Sequence, residues 1–424
     1  MASAGNEYVI RHFEENGFAS GPADWAADGV PFLCLEPNFE GVGQGALENG
    51  NYRTRAFNPH PMVPGLRNGE LSFGLYWHGG GATAVTAPGS NATSFIVTDL
   101  LRNAWGGRRL GRASTVASAT ETEVTLAPDE GAQYVPGDWM FLVDAADNNR
   151  GRFVRVGSVD EDVVTPLFSA PVTVPDNAVS GAVVVNFLHT RALINRAHPE
   201  HATHSFLQVR EADDDVVEAR GVKLTLSGID AIESGGEPVL RFEGMATTHR
   251  NEGLERPNDP ALGDIVGDVP LVVSQGSDTF VMLGDLGGDL EPVVAHAVSL
   301  TPAVTSAPVP GVGGTEGRHG FRGSGFEGTR VELVVEHDEV YFAEWEARTR
   351  RHFLLQIGTT QGRAVGLYMP NMLLTVDPRR TTSEDLATVT LTYEAYEFEG
   401  DQLDGLTEGA RENYRSKIQL LHST

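Results

Sequence analysis

Between residues 221 and 246, apolar and polar side chains take turns. Val222, Leu224 and Leu226 are separated by Lys223, Thr225 and Ser227. A period of two sends successive side chains to opposite faces, so this arm predicts a strand with one buried side. The second arm, 239–242, is mostly apolar and leads into Gly244, while Glu233, Ser234, Gly235 and Gly236 supply a turn between the arms. The pattern predicts a hairpin. Residues 366–396 repeat the design as glycine, strand, a polar loop over 377–384, and strand. One unit carried twice in a long chain predicts a duplicated domain.

The elements around each hairpin follow a common order. In the first half, strands are predicted over 8–13, 30–35, 69–78 and 204–209, with a long polar loop over 36–69. A helix is predicted over 94–105. Phe95, Val97 or Thr98, Leu101 and Trp105 share its face, Ser94 is the expected N-cap, and Gly106 and Gly107 end it. In the second half, strands are predicted over 271–273, 279–283, 293–302, 329–335 and 353–357. A Gly-rich polar loop covers 311–328 and a helix covers 339–351.

Between the halves of the first unit, 112–188 has a different texture. Short strands over 114–118, 123–126, 139–144, 152–159 and 183–187 alternate with turns such as Pro136-Gly137-Asp138 and Asp147-Asn148-Asn149. This predicts a small inserted β-barrel. The expected fold class is therefore mainly β, with two tandem β-sandwich or barrel domains, each holding one α-helix, and the insert in the first. The expected boundaries are 1–250, a Pro-, Gly- and Asp-rich linker over 251–270, then 271–400, then a tail over 401–424. Ala410, Tyr414, Ile418 and Leu421 fall at helical spacing, so the tail predicts an amphipathic helix.

A chain of 424 residues is long enough for two or three proper cores. Lys and Arg number 31 against 58 Asp and Glu, a net charge of −27. That balance weighs against gripping a phosphate backbone, which needs positive charge. It is compatible with a surface that DNA slides past, and equally with acidity that keeps the chain soluble. Cys34 is the single cysteine, so there is no intramolecular disulfide and no Cys-based metal site. This fits folding in a reducing cytoplasm. Residues 1–17 carry charges throughout and lack the apolar core of a signal peptide, and no segment approaches the roughly 18 apolar residues of a membrane span.

The candidate chemistry is sparse. His198, His201 and His204 lie at a spacing of three, but Pro199 discourages one helix through them and no fourth ligand is evident. Asp213, Asp214 and Asp215, with Glu211 and Glu218, lack the spacing of a calcium loop and read as a solvated turn. The glycines of 41–45 and 311–314 neither follow a strand nor open a helix, as a dinucleotide fingerprint requires. Glu336 with Glu339, and Glu344 with Glu346, read as solvent-facing charge. Neither a catalytic set, a cofactor nor a metal is expected, and the chain reads as a non-enzyme.

Several short motifs occur in a telling order. Tyr8-Val9-Ile10-Arg11 leads to Phe18-Ala19-Ser20-Gly21-Pro22. Asn51, Arg53 and Arg55 precede Arg67-Asn68-Gly69-Glu70-Leu71-Ser72-Phe73. Then come Asp99-Leu100-Leu101-Arg102-Asn103-Ala104-Trp105-Gly106, and Pro136-Gly137-Asp138-Trp139 in the insert. His204-Ser205-Phe206, Gly221-Val222-Lys223 and Phe242-Glu243-Gly244 close the first half. In this order the chain resembles the two-domain tail tube proteins of tailed bacteriophages. The likeness covers the whole length, by layout more than by residues in the second half.

The resemblance implies a structural protein of the virion tail, made in the host cytoplasm. Tube domains form six-fold rings, so a duplicated chain is expected as a trimer of pseudo-six-fold symmetry. Its rings stack head to tail into a conduit for DNA. Expected partners are other copies, then the tape measure, tail terminator and baseplate proteins. DNA would pass without specific binding, and no membrane is involved. The loops carrying Asn51, Arg53, Arg55, Arg67, Arg318 and Arg322 are the expected ring-to-ring contacts. Lys223, Thr225, Ser227 and Glu243 are expected to face the lumen; for the inserted barrel, only its being an insert suggests the outside of the tube. The alternative is an all-β binding or adhesion module of a baseplate or spike. A hydrolase on a β-scaffold is a third reading.

Overall fold

The computed structural model describes residues 7–14, 21–22, 24–32, 34–42, 68–81, 91–92, 94–144, 151–168, 178–188, 203–210, 215–250, 254, 257, 273, 278–286, 288–315, 318–324, 328–383, 386–398 and 415–424. The chain opens with β1 (Glu7–Glu14) and the short helix α1 (Trp25–Asp28), capped by the Asp24 carboxylate, which accepts from the Ala26 N–H at 2.9 Å. β2 (Val30–Phe32), β3 (Leu35–Val42) and β4 (Asn68–Tyr76) follow. The expected polar loop over 36–69 therefore begins as a strand. Phe39 is buried between exposed Asn38 and Glu40, and it lies opposite Leu71 of β4. Residues 43–67 lie outside the described part.

Helix α2 (Ile96–Trp105) buries Val97, Leu100, Leu101, Ala104 and Trp105, and Gly106 ends it in the left-handed conformation (φ 77°). The expected N-cap is corrected. Ser94 does not cap; instead the Thr98 hydroxyl receives the Phe95 N–H at 3.1 Å and donates to the Phe95 carbonyl at 2.8 Å. β5 (Gly106–Leu110) leaves the helix directly.

The insert is a closed six-stranded barrel. β6 (Ser114–Ala119), β7 (Val124–Leu126), β8 (Trp139–Asp144), β9 (Arg152–Asp160), β10 (Val163–Pro166) and β11 (Ala178–Gly181) close in the order β10-β7-β6-β11-β8-β9. Val124, Leu126, Met140, Leu142, Val154 and Val164 fill it. β12 (Val183–Leu188), expected inside the barrel, instead pairs with β5 in the main sheet.

The remaining strands of the first half are β13 (Thr203–Arg210), β14 (Asp215–Glu233), β15 (Val239–Ala246) and β16 (Thr248–Arg250). The second half holds β17 (Thr279–Asp285), β18 (Leu290–Pro292), β19 (Ala295–Thr301), β20 (Thr305–Thr315), β21 (Arg318–Ser324) and β22 (Arg330–Glu336). Helix α3 (Val340–Ala347) is followed by β23 (Arg350–Ile357), β24 (Val365–Leu374), β25 (Arg379–Ser383), β26 (Leu386–Ala395) and β27 (Gln419–Ser423).

Several expectations are corrected here. The Gly-rich stretch over 311–328 is largely strand, with β20 and β21 forming an antiparallel pair. The polar loop over 377–384 contains β25, which pairs along β26. Helix α3 is shorter than 339–351 because Arg348 turns left-handed (φ 55°) and Arg350 already belongs to β23. Val273 is in no strand, and only Leu254 and Pro257 of the expected linker are described. Of the expected tail helix, Arg415 is helical, residues 401–414 lie outside the described part, and 416–424 are not helical. β27 pairs with β12 on one edge and β24 on the other, and Ile418, Leu420 and Leu421 are fully buried.

One succession of pairings occurs twice. β1-β13-β14-β15-β4-β3 are neighbours in the first half, and β17-β23-β24-β26-β22-β19 in the second. The registers agree in detail. Glu7 faces Arg210 as Thr279 faces Ile357. Phe206 faces Ala219 and His204 faces Val222, with a bulge between. Phe353 faces Met369 and Arg351 faces Met372, again with a bulge between. The far end of β14 then pairs with β19, so the two halves share one sheet of 19 strands and one core.

Candidate functional site

The alternation that builds β14 and β15 leaves a polar face. Neighbouring β3, β4, β15 and β14 turn Phe39, Leu71, Phe73, Phe242 and Leu224 into the core. Asn38 and Glu40, Glu70 and Ser72, Glu243 and Met245, and Thr225 fall on the other side. They line an open hollow of ≈ 460 Å³. Because β14 pairs with β19, the face extends across the joint, with a bulge between Ile229 and Ile232. Ser299 and Thr301 of β19, Glu332 and Glu336 of β22, and Glu394 of β26 extend it, all at least partly exposed. Arg241 lies among the carboxylates, 2.6 Å from Asp230 and 3.1 Å from Glu36. The hydrogen bond to Asp230, and with it Glu36, raises the Arg241 guanidinium above its ordinary value against the opposing effect of burial. These are exposed pairs that contribute little to stability. Their effect is on the charge a ligand meets, and the balance is acidic.

The expected lumen-facing residues divide. Glu243 is exposed on this face. Thr225 and Ser227 are half-buried there, and the Ser227 hydroxyl donates to the Arg241 carbonyl at 3.2 Å. Lys223 is corrected. It sits in the floor of the hollow, but its side chain has no exposed surface, and its ammonium donates to the Asn103 carbonyl at the end of α2. A helix C-terminus leaves carbonyls without intrahelical partners and draws cations, which explains the contact.

Of the expected ring-contact residues, Asn51, Arg53, Arg55 and Arg67 lie outside the described part. Arg318 and Arg322 belong to β21, opposite β20, and their side chains also lie outside it.

The remaining candidates have structural roles. His204 is buried in β13, with its Nδ1 2.9 Å from Asn103 Nδ2; His198 and His201 are not described. Asp215 opens β14, 3.6 Å from Arg210. Glu344, expected in solvent, is buried in α3. It accepts from the Tyr393 hydroxyl at 3.0 Å and from Arg351 at 3.2 Å. Burial and that carboxylate push the Tyr393 phenol well above its ordinary value. No group of three or more His, Cys, Asp or Glu is placed to hold a metal among the described residues.

One cluster carried no sequence signal. Arg155 of β9 is fully buried, donates to the Tyr368 hydroxyl at 2.8 Å and lies 4.7 Å from that ring's centroid. His352 is beside it, its imidazole lowered to about 4 by burial and by the Arg155 charge. Trp139, Phe141, Phe153 and Phe168 of the barrel segment pack against Leu354, Tyr368 and Leu421. The Trp139 indole donates to Gln419 at 2.8 Å. The barrel is therefore held to its second-half neighbours by an apolar core. At its other contact, Arg109 of β5 reaches Asp138 at 2.6 Å, and burial raises that carboxyl to about 6.

No protein-family model and no curated protein sequence matches this chain. No helix among the described residues is long and apolar enough to cross a membrane.

Proposed function

We propose that this chain is a structural protein that polymerises into stacked rings, forming a tail tube through which DNA passes. One observation carries the reading: the same six-strand pairing succession occurs twice, and the two copies join edge to edge through β14 and β19. A joint that already links two like units in one chain can link further units in the same sense, and a curved sheet that closes has no free edges. Closure with three chains gives six units. The polar face is then the wall of the channel, and its carboxylates repel phosphates so that DNA does not adhere. Ring-on-ring stacking is a head-to-tail contact that does not close, and so it produces a filament.

Electron microscopy of the purified protein in negative stain tests this. Stacked rings or hollow tubes are expected at high protein concentration. A dispersed monomer that binds a sugar or another tail protein would sink the tube and favour a binding or adhesion module of a baseplate or spike.

A further inference from the structure

We infer that neighbouring copies join through β25 of one chain and β3 of the next, in the register that β14 and β19 use within a chain. The inference rests on the ring reading above and names its contact.

Within the chain, Ile229 of β14 faces Leu300 of β19. The repeat locates the counterpart of each. Thr225 faces Glu243, and the Thr375 N–H reaches the Thr392 carbonyl at 3.1 Å. Past a bulge, Gly228 and Ile229 face Arg241 and Leu240. Past the equivalent break, Arg379 and Arg380 face Thr390 and Val389. So β24 continued by β25 is the second-half version of β14, and Arg380 stands where Ile229 stands. In the same way Leu300 faces Val331, and Phe39 faces Leu71. Phe39 therefore stands where Leu300 stands. The internal joint Ile229–Leu300 has as its external equivalent Arg380 with Phe39. One step along the antiparallel register sets Arg379 opposite Glu40.

Neither edge carries a second strand among the described residues, although on β3 the Phe39 carbonyl accepts from His249 and the Pro37 carbonyl from Gln208. Among the described residues β25 pairs only with β26, and β3 only with β4. Open edges of this kind are templates for strand addition. The charges are complementary as well. β25 reads RRTTS and β3 reads LEPNFEGV, and the register sets the Arg379 position opposite Glu40. The inner joint is apolar at the same places, with Ile229 and Leu300 both buried. A joint that must be soluble before assembly and specific afterwards suits charge better than bare apolar surface. Pro37 bounds the contact. It has no N–H, and its carbonyl accepts from the Gln208 amide at 3.0 Å, so the ladder is short, Arg379 to Thr381 of β25 against Glu40 to Asn38 of β3.

The test uses the full chain with Cys34→Ser, Arg379→Cys and Glu40→Cys. Directly opposed residues in an antiparallel ladder lie about 4.5–5.5 Å apart at Cα, within disulfide reach. Under mild oxidation, rings seen by microscopy are expected to yield covalently linked multimers on a non-reducing gel, and neither single-cysteine chain to yield any. Rings that form without linkage overturn the joint and leave the tube standing. A wild-type chain that forms no ring overturns both. A second set covers the case in which the cysteines block assembly. Arg379→Glu and Glu40→Arg are each expected to cut the assembled fraction, and the two together to restore it. Assembly indifferent to either reversal overturns the joint.

Discussion

Asn103 holds the point where β13 and β14 part. Its Oδ1 accepts from the Leu224 N–H at 2.7 Å, and its Nδ2 lies 2.9 Å from His204 Nδ1 and 3.3 Å from the Val222 carbonyl. All of these groups are buried. Asn103→Ala leaves them without that partner, and a loss of about 2–4 kcal/mol is expected, read from the denaturant midpoint. His422 makes the second residue-scale prediction. Burial lowers its imidazole to about 3, and its Nδ1 lies 3.3 Å from the His78 carbonyl. The unfolded chain binds this proton near pH 6.5, and the folded chain does not until about pH 3. Stability from His422 is therefore present above pH 6.5 and lost as pH falls towards 3. Down to pH 4 the loss is about 3 kcal/mol. His422→Gln should flatten that part of a stability–pH curve; an unchanged slope would refute it. Neither role was legible in the sequence. Lys223 in particular alternates like a surface residue, and only the nearby helix end decides otherwise.

β27 shows how an element depends on partners far away in the chain. Ile418 and Leu421 fit a helical face, while Ile418 and Leu420 also fit a strand, so a short apolar run leaves both open. The edges of β12 and β24 settle it, since both offer unpaired backbone groups that a helix would leave unmet. Leu420 is fully buried in the core shared by both halves. Leu420→Ala is expected to cost about 2–5 kcal/mol. In hydrogen exchange it should loosen β12 and β24 together; protection lost from only one of them would contradict the bridging role. β3, β20, β21 and β25 were hidden in stretches rich in Gly, Pro, Glu and Arg, where the alternation is diluted. The hairpins, helix α2 and the inserted barrel were legible because each buries a regular apolar stripe of its own.

Across the whole molecule the polar face is a matter of charge, not of any one side chain. Glu70 and Glu243 are exposed on it, so reversing them should leave the fold intact. Glu70→Lys with Glu243→Lys is expected to make assembled particles retain double-stranded DNA at low salt and release it as salt rises. Co-sedimentation measures this. Equal retention by the wild-type chain would remove the case for an anti-adhesive wall.

The sequence by itself determined the repeated strand order, the inserted barrel, the main helix and the acidic balance. These follow from local periodicity and composition, which need no distant partner. Tertiary structure decided which edges meet. It made the two halves one sheet through β14 and β19, set Gln419–Ser423 as a strand between β12 and β24, buried Lys223 and Glu344, and set the barrel against the second half. Each outcome depends on a pairing or a neutralising contact between residues far apart in the chain, and no local pattern encodes such a contact.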